Sequence, residues 1–181
     1  MKRIGLCTLI FACFLCSCNK DESGEKATQK DTGKLQTQAL EREGLDVETL
    51  DINGDTEPDQ WIYKRDGAVR YIQRDFNFDG IIDLTEFYEG SKRVRDEIDL
   101  DYDGIVDLIV TYKNEVPVRK EYSVDFEGNR HGVQYFDEKG NRTQIHRDTN
   151  GDGKLDTIEY FESGSESPVR VEAIKPKQSA E

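Results

Sequence analysis

The sequence predicts an all-β fold: an antiparallel meander of about five hairpin repeats of about 24 residues, each with an acidic loop, in an elongated or coiled sheet. Three observations carry this. The chain matches itself at that period. Its apolar runs last 5–8 residues, are rich in Val, Ile, Tyr and Phe, and are bracketed by Gly, Asn, Asp and Pro. Within a run, apolar residues alternate: Ile82 with Leu84, and Val106 with Leu108 and Val110, fall on one face at period two. A single hairpin of this kind cannot bury its apolar face, so neighbours must stack.

In chain order, residues 1–17 read as a signal peptide. Lys2 and Arg3 give a basic start, and the apolar run Ile4 to Leu15 falls short of the roughly 20 residues that span a bilayer. Cys7, Cys13, Cys16 and Cys18 all lie in or at the end of this segment, so the body has no thiol for disulfides or zinc. An exported domain of that kind must find its stability elsewhere. Residues 18–44 form the next segment, polar and without an aromatic residue after Cys18, and predict a flexible tether. At about 5–6 Å × √n its reach is roughly 30 Å. Residues 45–173 are the repeat domain, and residues 174–181 a frayed tail.

Within the domain, "DINGDTEPDQWIY" begins at Asp51, "DFNFDGIIDLTEFY" at Asp75, "DLDYDGIVDLIVTY" at Asp99 and "DTNGDGKLDTIEYF" at Asp148. A worn copy, "DFEGNRHGVQYF", begins at Asp125, so the starts are spaced by 24, 24, 26 and 23 residues. Each unit reads as strand, tight turn, strand, acidic loop, giving about ten strands. Second runs open alike with Val-Arg, which places Arg70, Arg95, Arg119 and Arg170 in one row with Arg142 nearby. The plain reading is that they balance Glu and Asp on a solvated face; a carboxylate- or phosphate-bearing partner is the other. The recurring strand aromatics, Trp61, Tyr63, Phe87 and Tyr112 among them, read as core.

The full chain carries a net charge of −13, and the part after the signal −15. Such a surface argues against nucleic acid as a partner and against charge-driven adhesion to anionic lipid. It points to bound counter-ions, because self-repulsion destabilises a compact fold.

The acidic loops supply the place for them. Ca²⁺ takes six to eight oxygens, and Asp or Asn at every second position turns successive carboxyl groups toward one centre. Asp75, Asn77, Asp79 and Asp83 meet this pattern around Gly80. Asp99, Asp101, Asp103 and Asp107 do so around Gly104, and Asp148, Asn150, Asp152 and Asp156 around Gly153. Asp51, Asn53, Asp55 and Asp59 repeat it with Thr56 in place of the Gly. The carbonyl of Ile81, Ile105 or Lys154 completes each ring. In the worn copy Val133 stands where the last Asp should be, which predicts a loop that binds no cation. Turn preference alone accounts for Gly and some of the acids, but not for a further Asp entering a strand, where Asp is disfavoured.

Three resemblances add to this reading. "LCSC", Leu15 to Cys18, resembles the bacterial lipobox, which implies cleavage before Cys18, lipidation of its thiol, acylation of its new amino terminus and a membrane anchor. Asn19 follows, which by that resemblance implies the outer membrane, on its periplasmic or surface face. The loops resemble EF-hand loops, whose twelfth position carries a bidentate Glu; Glu86 and Glu159 hold that place, while Ile62 and Val110 do not. Because the flanks read as strands, the strand–loop–strand calcium sites of FG-GAP-type repeats are the closer likeness, and "EGNRHGVQYFDEKGN" also resembles MORN-variant or YD hairpin repeats. Structural calcium is the cofactor these motifs imply.

No nucleophile–base grouping or phosphate-cradling loop accompanies His131 and His146, so no enzyme is predicted. The expectation is a lipid-anchored, calcium-binding envelope module that meets another envelope or surface protein. The alternative is a metal-independent binding or immunity module whose acidic loops are only turns.

Overall fold

The computed structural model describes residues 33–175. The predicted signal segment, Cys18, most of the predicted tether and the end of the tail lie outside these residues. Eleven strands form one antiparallel sheet in strict sequence order. They are β1 (Asp46–Leu50), β2 (Gln60–Arg65), β3 (Ala68–Arg74), β4 (Leu84–Glu89), β5 (Lys92–Ile98) and β6 (Leu108–Lys113). β7 (Val116–Tyr122), β8 (Gly132–Phe136), β9 (Arg142–Arg147), β10 (Thr157–Tyr160) and β11 (Arg170–Ala173) complete it. The sheet is open, with β1 and β11 as its edges, and no helix occurs among the described residues. The meander is as the sequence predicts, with one more strand because the loop at Asp51 needs β1 before it.

Two kinds of connection alternate along the chain. Tight turns close one end: Asp66 with Gly67, and Asn114 with Glu115, are left-handed at both central positions, matching the right-handed twist of paired strands. Acidic loops close the other. Every tight hairpin from β2 to β9 also carries a register shift, after Tyr63, Phe87, Thr111 and Tyr135, at intervals of 24 residues. The added residues are Arg70, Val94, Val118 and Thr143, and each bulge bends its strand and sharpens the twist.

The bulges correct the predicted arginine row. Arg95, Arg119 and Arg170 share a row, Phe87↔Arg95↔Thr111↔Arg119↔Tyr135↔Gln144↔Tyr160↔Arg170, whereas Arg70 is an inserted bulge residue and falls outside it. In each case the guanidinium meets a carboxylate two residues on: Arg95 with Glu97 at 2.7 Å, Arg119 with Glu121, and Arg170 with Glu172 at 3.0 Å. Charge balance explains these arginines.

The core is thin. Eight apolar side chains are buried among the described residues against twelve polar or charged ones, so packing alone does not define the interior. On one face Tyr63 stacks on Tyr71 with centroids 4.2 Å apart, and Tyr71 meets Phe87 at 6.2 Å. Leu40, Leu45, Trp61 and Val94 pack against this cluster. The cover comes from residues 33–45, which the sequence groups with the tether but which lie across the sheet. Leu35 is buried, its N–H donates to the Gly128 carbonyl at 2.9 Å, and the Gln38 N–H donates to Glu97 Oε1 at 2.6 Å. Arg95 donates to the Gln36 carbonyl. A polar composition hid this strap, whose attachment is made largely through backbone groups.

Candidate metal centre

All acidic loops lie at one end of the strands and share one backbone plan. The N–H of the ninth residue donates to the carbonyl just before the loop: Asp59 to Leu50, Asp83 to Arg74 and Asp107 to Ile98, each at 2.9 Å, and Asp156 to Arg147 at 2.7 Å. His131 does the same to Tyr122 at 2.9 Å. The fourth loop therefore begins at Ser123, not Asp125, and the starts become 51, 75, 99, 123 and 148. His131, rather than Val133, holds the ninth place, and its Nδ1 accepts the Val124 N–H at 3.3 Å. A histidine in place of an aspartate had concealed the register.

The fourth and sixth residues of every loop are left-handed. The fourth places hold Gly54, Phe78, Tyr102, Phe126 and Gly151; the sixth hold Thr56, Gly80, Gly104, Gly128 and Gly153. This conformation aims backbone N–H groups at the first carboxylate. Asp99 Oδ1 accepts from Tyr102 at 2.8 Å and its Oδ2 from Gly104 at 2.6 Å. Asp75 accepts from Phe78 at 2.7 Å and Gly80 at 2.8 Å, and Asp51 and Asp148 repeat the pattern. The fifth carboxylate accepts the seventh N–H, as from Ile105 to Asp103 at 2.8 Å. Asn53 and Asn77, at third places, donate to Asp55 and Asp79 at 2.9 and 2.8 Å.

In the first three loops the ninth carboxylate closes the loop with one oxygen only. Asp83 Oδ2 accepts from Phe76 at 2.5 Å, and Asp107 Oδ2 from Leu100 at 2.9 Å. Their Oδ1 atoms are buried with no hydrogen-bond partner, and the residues are 1% and 0% exposed. Burial raises both carboxyl groups above the ordinary range, and neighbouring carboxylates raise them further: Asp75 and Asp99 for Asp83, Asp99 and Asp103 for Asp107. In the third loop, oxygens of Asp99, Asp101 and Asp107 lie within 4.8 Å of one another. Asp101 is also raised, by desolvation and by those same neighbours. A hard cation suits such a donor set, since each missing partner is an oxygen lone pair in a poorly solvated place. Asp99, Asp101, Asp103, Asp107 and the Ile105 carbonyl would hold it.

The other loops differ in degree. The second has the same buried pair, Asp75 and Asp83, with Asn77 and Asp79 exposed. In the first, Asp59 is buried, while Asp51, Asn53 and Asp55 are exposed. In the last, Thr149 and Thr157 donate to Asp156 and lower its carboxyl, which leaves it the least in need of a cation. The fourth loop is satisfied internally: burial raises the Asp125 carboxyl, but donors from Asn129, Ser123 and Glu127 outweigh it and hold it at about 2. Glu86 and Glu159 serve another purpose than the sequence assigns them. Glu86 accepts from Arg74 at 2.6 Å and Arg93 at 3.0 Å, and Glu159 accepts from Arg147 at 2.9 Å. Both carboxylates are committed to arginines on neighbouring strands.

The loops are also tied to one another. The N–H of one loop's first residue donates to the carbonyl of the previous loop's ninth: Asp75 to Asp59 at 2.9 Å, Asp99 to Asp83 and Ser123 to Asp107 at 2.8 Å, and Asp148 to His131 at 3.0 Å. Gly104 faces the Ile81 methyl, where a Cβ would stand 3.4 Å away, and at Gly128 a Cβ would stand 2.9 Å from Ile105.

No protein-family model matches the chain, and no curated protein does. Solved structures that match part of the chain include the glycosylation-associated Gap123 complex of Streptococcus agalactiae, at 17% identity and TM-score 0.46, matching 63% of this chain and 20% of that one. TarM matches at 11% identity and TM-score 0.43 over 59% of this chain and 20% of its own. Accessory secretory proteins 1, 2 and 3 of Streptococcus pneumoniae match at 16% and 0.43 over 65% and 23%. The chain thus spans about a fifth of the length of these proteins.

Proposed function

We propose that this chain is a lipid-anchored module of the cell envelope whose β-meander is stapled by calcium in its acidic loops. The observation that carries the reading is the pair of buried, unpartnered oxygens on Asp83 and Asp107, the latter in a loop where Asp99 and Asp101 crowd the same place. Without a cation these carboxylates repel one another beneath a thin core. At an affinity of about 10⁻⁴ M and roughly millimolar Ca²⁺, each site contributes about 1.4 kcal/mol, and three sites about 4 kcal/mol. That is comparable to the net stability of a small domain, so calcium takes the place of disulfides. The anchor is Cys18, and the module works by presenting a surface to another envelope or surface protein. Its role is structural rather than catalytic, which the use of His131 as a loop residue and the packing of His146 on Tyr135, at 4.8 Å, support.

A metal-independent module is the second reading. It is favoured by the first aspartate of each good loop, whose two oxygens both accept backbone N–H groups and close the loop without a cation. Thermal unfolding of the chain from residue 31 onward separates the two in millimolar CaCl₂ against excess EGTA. Three stapled loops raise the midpoint by roughly 10–20 °C, and Asp83→Asn with Asp107→Asn removes most of the rise. Superimposable melts would leave the loops as turns.

A further inference from the structure

The acidic loops carry more than carboxylates. Of thirteen exposed large hydrophobic side chains among the described residues, nine lie in these loops, each 40–60% exposed. They recur at fixed places. The second place holds Ile52, Phe76, Leu100 and Val124; the fourth holds Phe78, Tyr102 and Phe126; the seventh adds Ile81 and Ile105. Because the loops are tied side by side, these places form a ridge along one end of the strands. Three of its aromatics sit in left-handed backbone, a conformation that disfavours bulky residues. A turn alone has no use for a large aromatic side chain held outward at that cost.

We infer that this ridge seats on a phospholipid bilayer, with its aromatic and aliphatic side chains in the headgroup region. The inference rests on the lipid-anchor and calcium readings, and the start of the described chain supports it. Gly33 packs on Gly153 of the last loop, and the Arg130 N–H donates to its carbonyl at 2.8 Å. The chain therefore enters the sheet at the loop end. Fourteen residues lie between Cys18 and Gly33. A chain leading from an anchor at Cys18 therefore joins the sheet at its ridge end. Aromatic side chains suit that interface because one end prefers apolar and the other wet surroundings. The carboxylates beneath oppose approach to a membrane until a cation neutralises them, so seating is calcium-dependent.

Flotation with phosphatidylcholine vesicles tests this, using the chain from residue 18 onward with Cys18→Ser so that no lipid confounds it. The parent floats in CaCl₂ and not in EGTA. Phe78→Gly, Tyr102→Gly and Phe126→Gly together reduce vesicle affinity by about tenfold or more, while glycine suits the left-handed backbone and the fold survives. The calcium-dependent melting shift is measured on the same variant and remains. Absence of flotation while that shift is present overturns the inference and leaves the calcium reading intact. Flotation that the triple variant loses, in a protein without any calcium shift, supports the ridge and sinks the calcium reading. Flotation unchanged by the triple variant, or calcium-dependent self-association in place of flotation, overturns it.

Discussion

A single residue decides how each loop closes, and Thr56 is the clearest case. It sits at φ 83°, where the equivalent residues are Gly80, Gly104, Gly128 and Gly153. A β-branched side chain is strained there. Thr56→Gly is expected to stabilise the domain by about 1 kcal/mol in chemical denaturation. The mirror change, Gly104→Thr, is expected to destabilise it by a similar or larger amount. The buried carboxylates make a second prediction at this scale. Asp83 and Asp107 are raised above 3.8 in the folded chain, chiefly by burial. Between that value and their raised values the folded chain holds more protons than the unfolded one, so their contribution to metal-free stability falls as pH rises. Calcium must displace those protons. The calcium-induced rise in melting temperature is thus expected to be largest at neutral pH and to shrink as pH falls toward about 4. A shift that grows on acidification would contradict the assignment. The alternating acids, glycines and third-place asparagines of these loops were legible because side-chain spacing is a local property. The arginines that capture Glu86 and Glu159 were not, since Arg74, Arg93 and Arg147 reach them from neighbouring strands.

Among the elements, the strap is the one that composition conceals. Residues 33–45 read as tether because they are polar, yet Leu35 is buried and the segment covers the face that holds Tyr63, Tyr71 and Phe87. Burying a leucine and then truncating it costs about 2–5 kcal/mol. Leu35→Ala is therefore expected to lower stability by roughly 2 kcal/mol and to expose the segment to limited proteolysis. An unchanged melt and cleavage pattern would show the strap to be dispensable. The hairpins were legible as elements, but their bulges were not. A bulge adds one residue to one strand without altering the alternation of apolar types that reveals it. That is why Arg70 read as a member of the row that Arg95, Arg119 and Arg170 form. In the fourth loop the same plan survives with Ser123 first and His131 ninth, where the backbone bond to Tyr122 identifies a place that residue type disguised.

Across the whole domain, each strand contacts only the strands beside it in sequence. Stability in such a chain is a sum over units and their shared faces. β1 and β11 are exposed along their full lengths, while the buried residues concentrate from β2 to β9. Hydrogen exchange is expected to be fastest in β1, β10 and β11 and slowest from β4 to β8, with calcium slowing the strands that flank the second and third loops most. Uniform protection across all eleven strands would instead indicate one cooperative block. The same nearest-neighbour order makes length a free variable. Loops at 75, 99 and 123 are interchangeable in backbone plan and spaced by 24 residues. Removing residues 99–122 would join Ile98 to Ser123 as Arg74 is joined to Asp75, with every turn, bulge and loop still in phase. A chain built this way can grow or shrink by whole hairpins, and only the strap, cut to a fixed span, records how many there are.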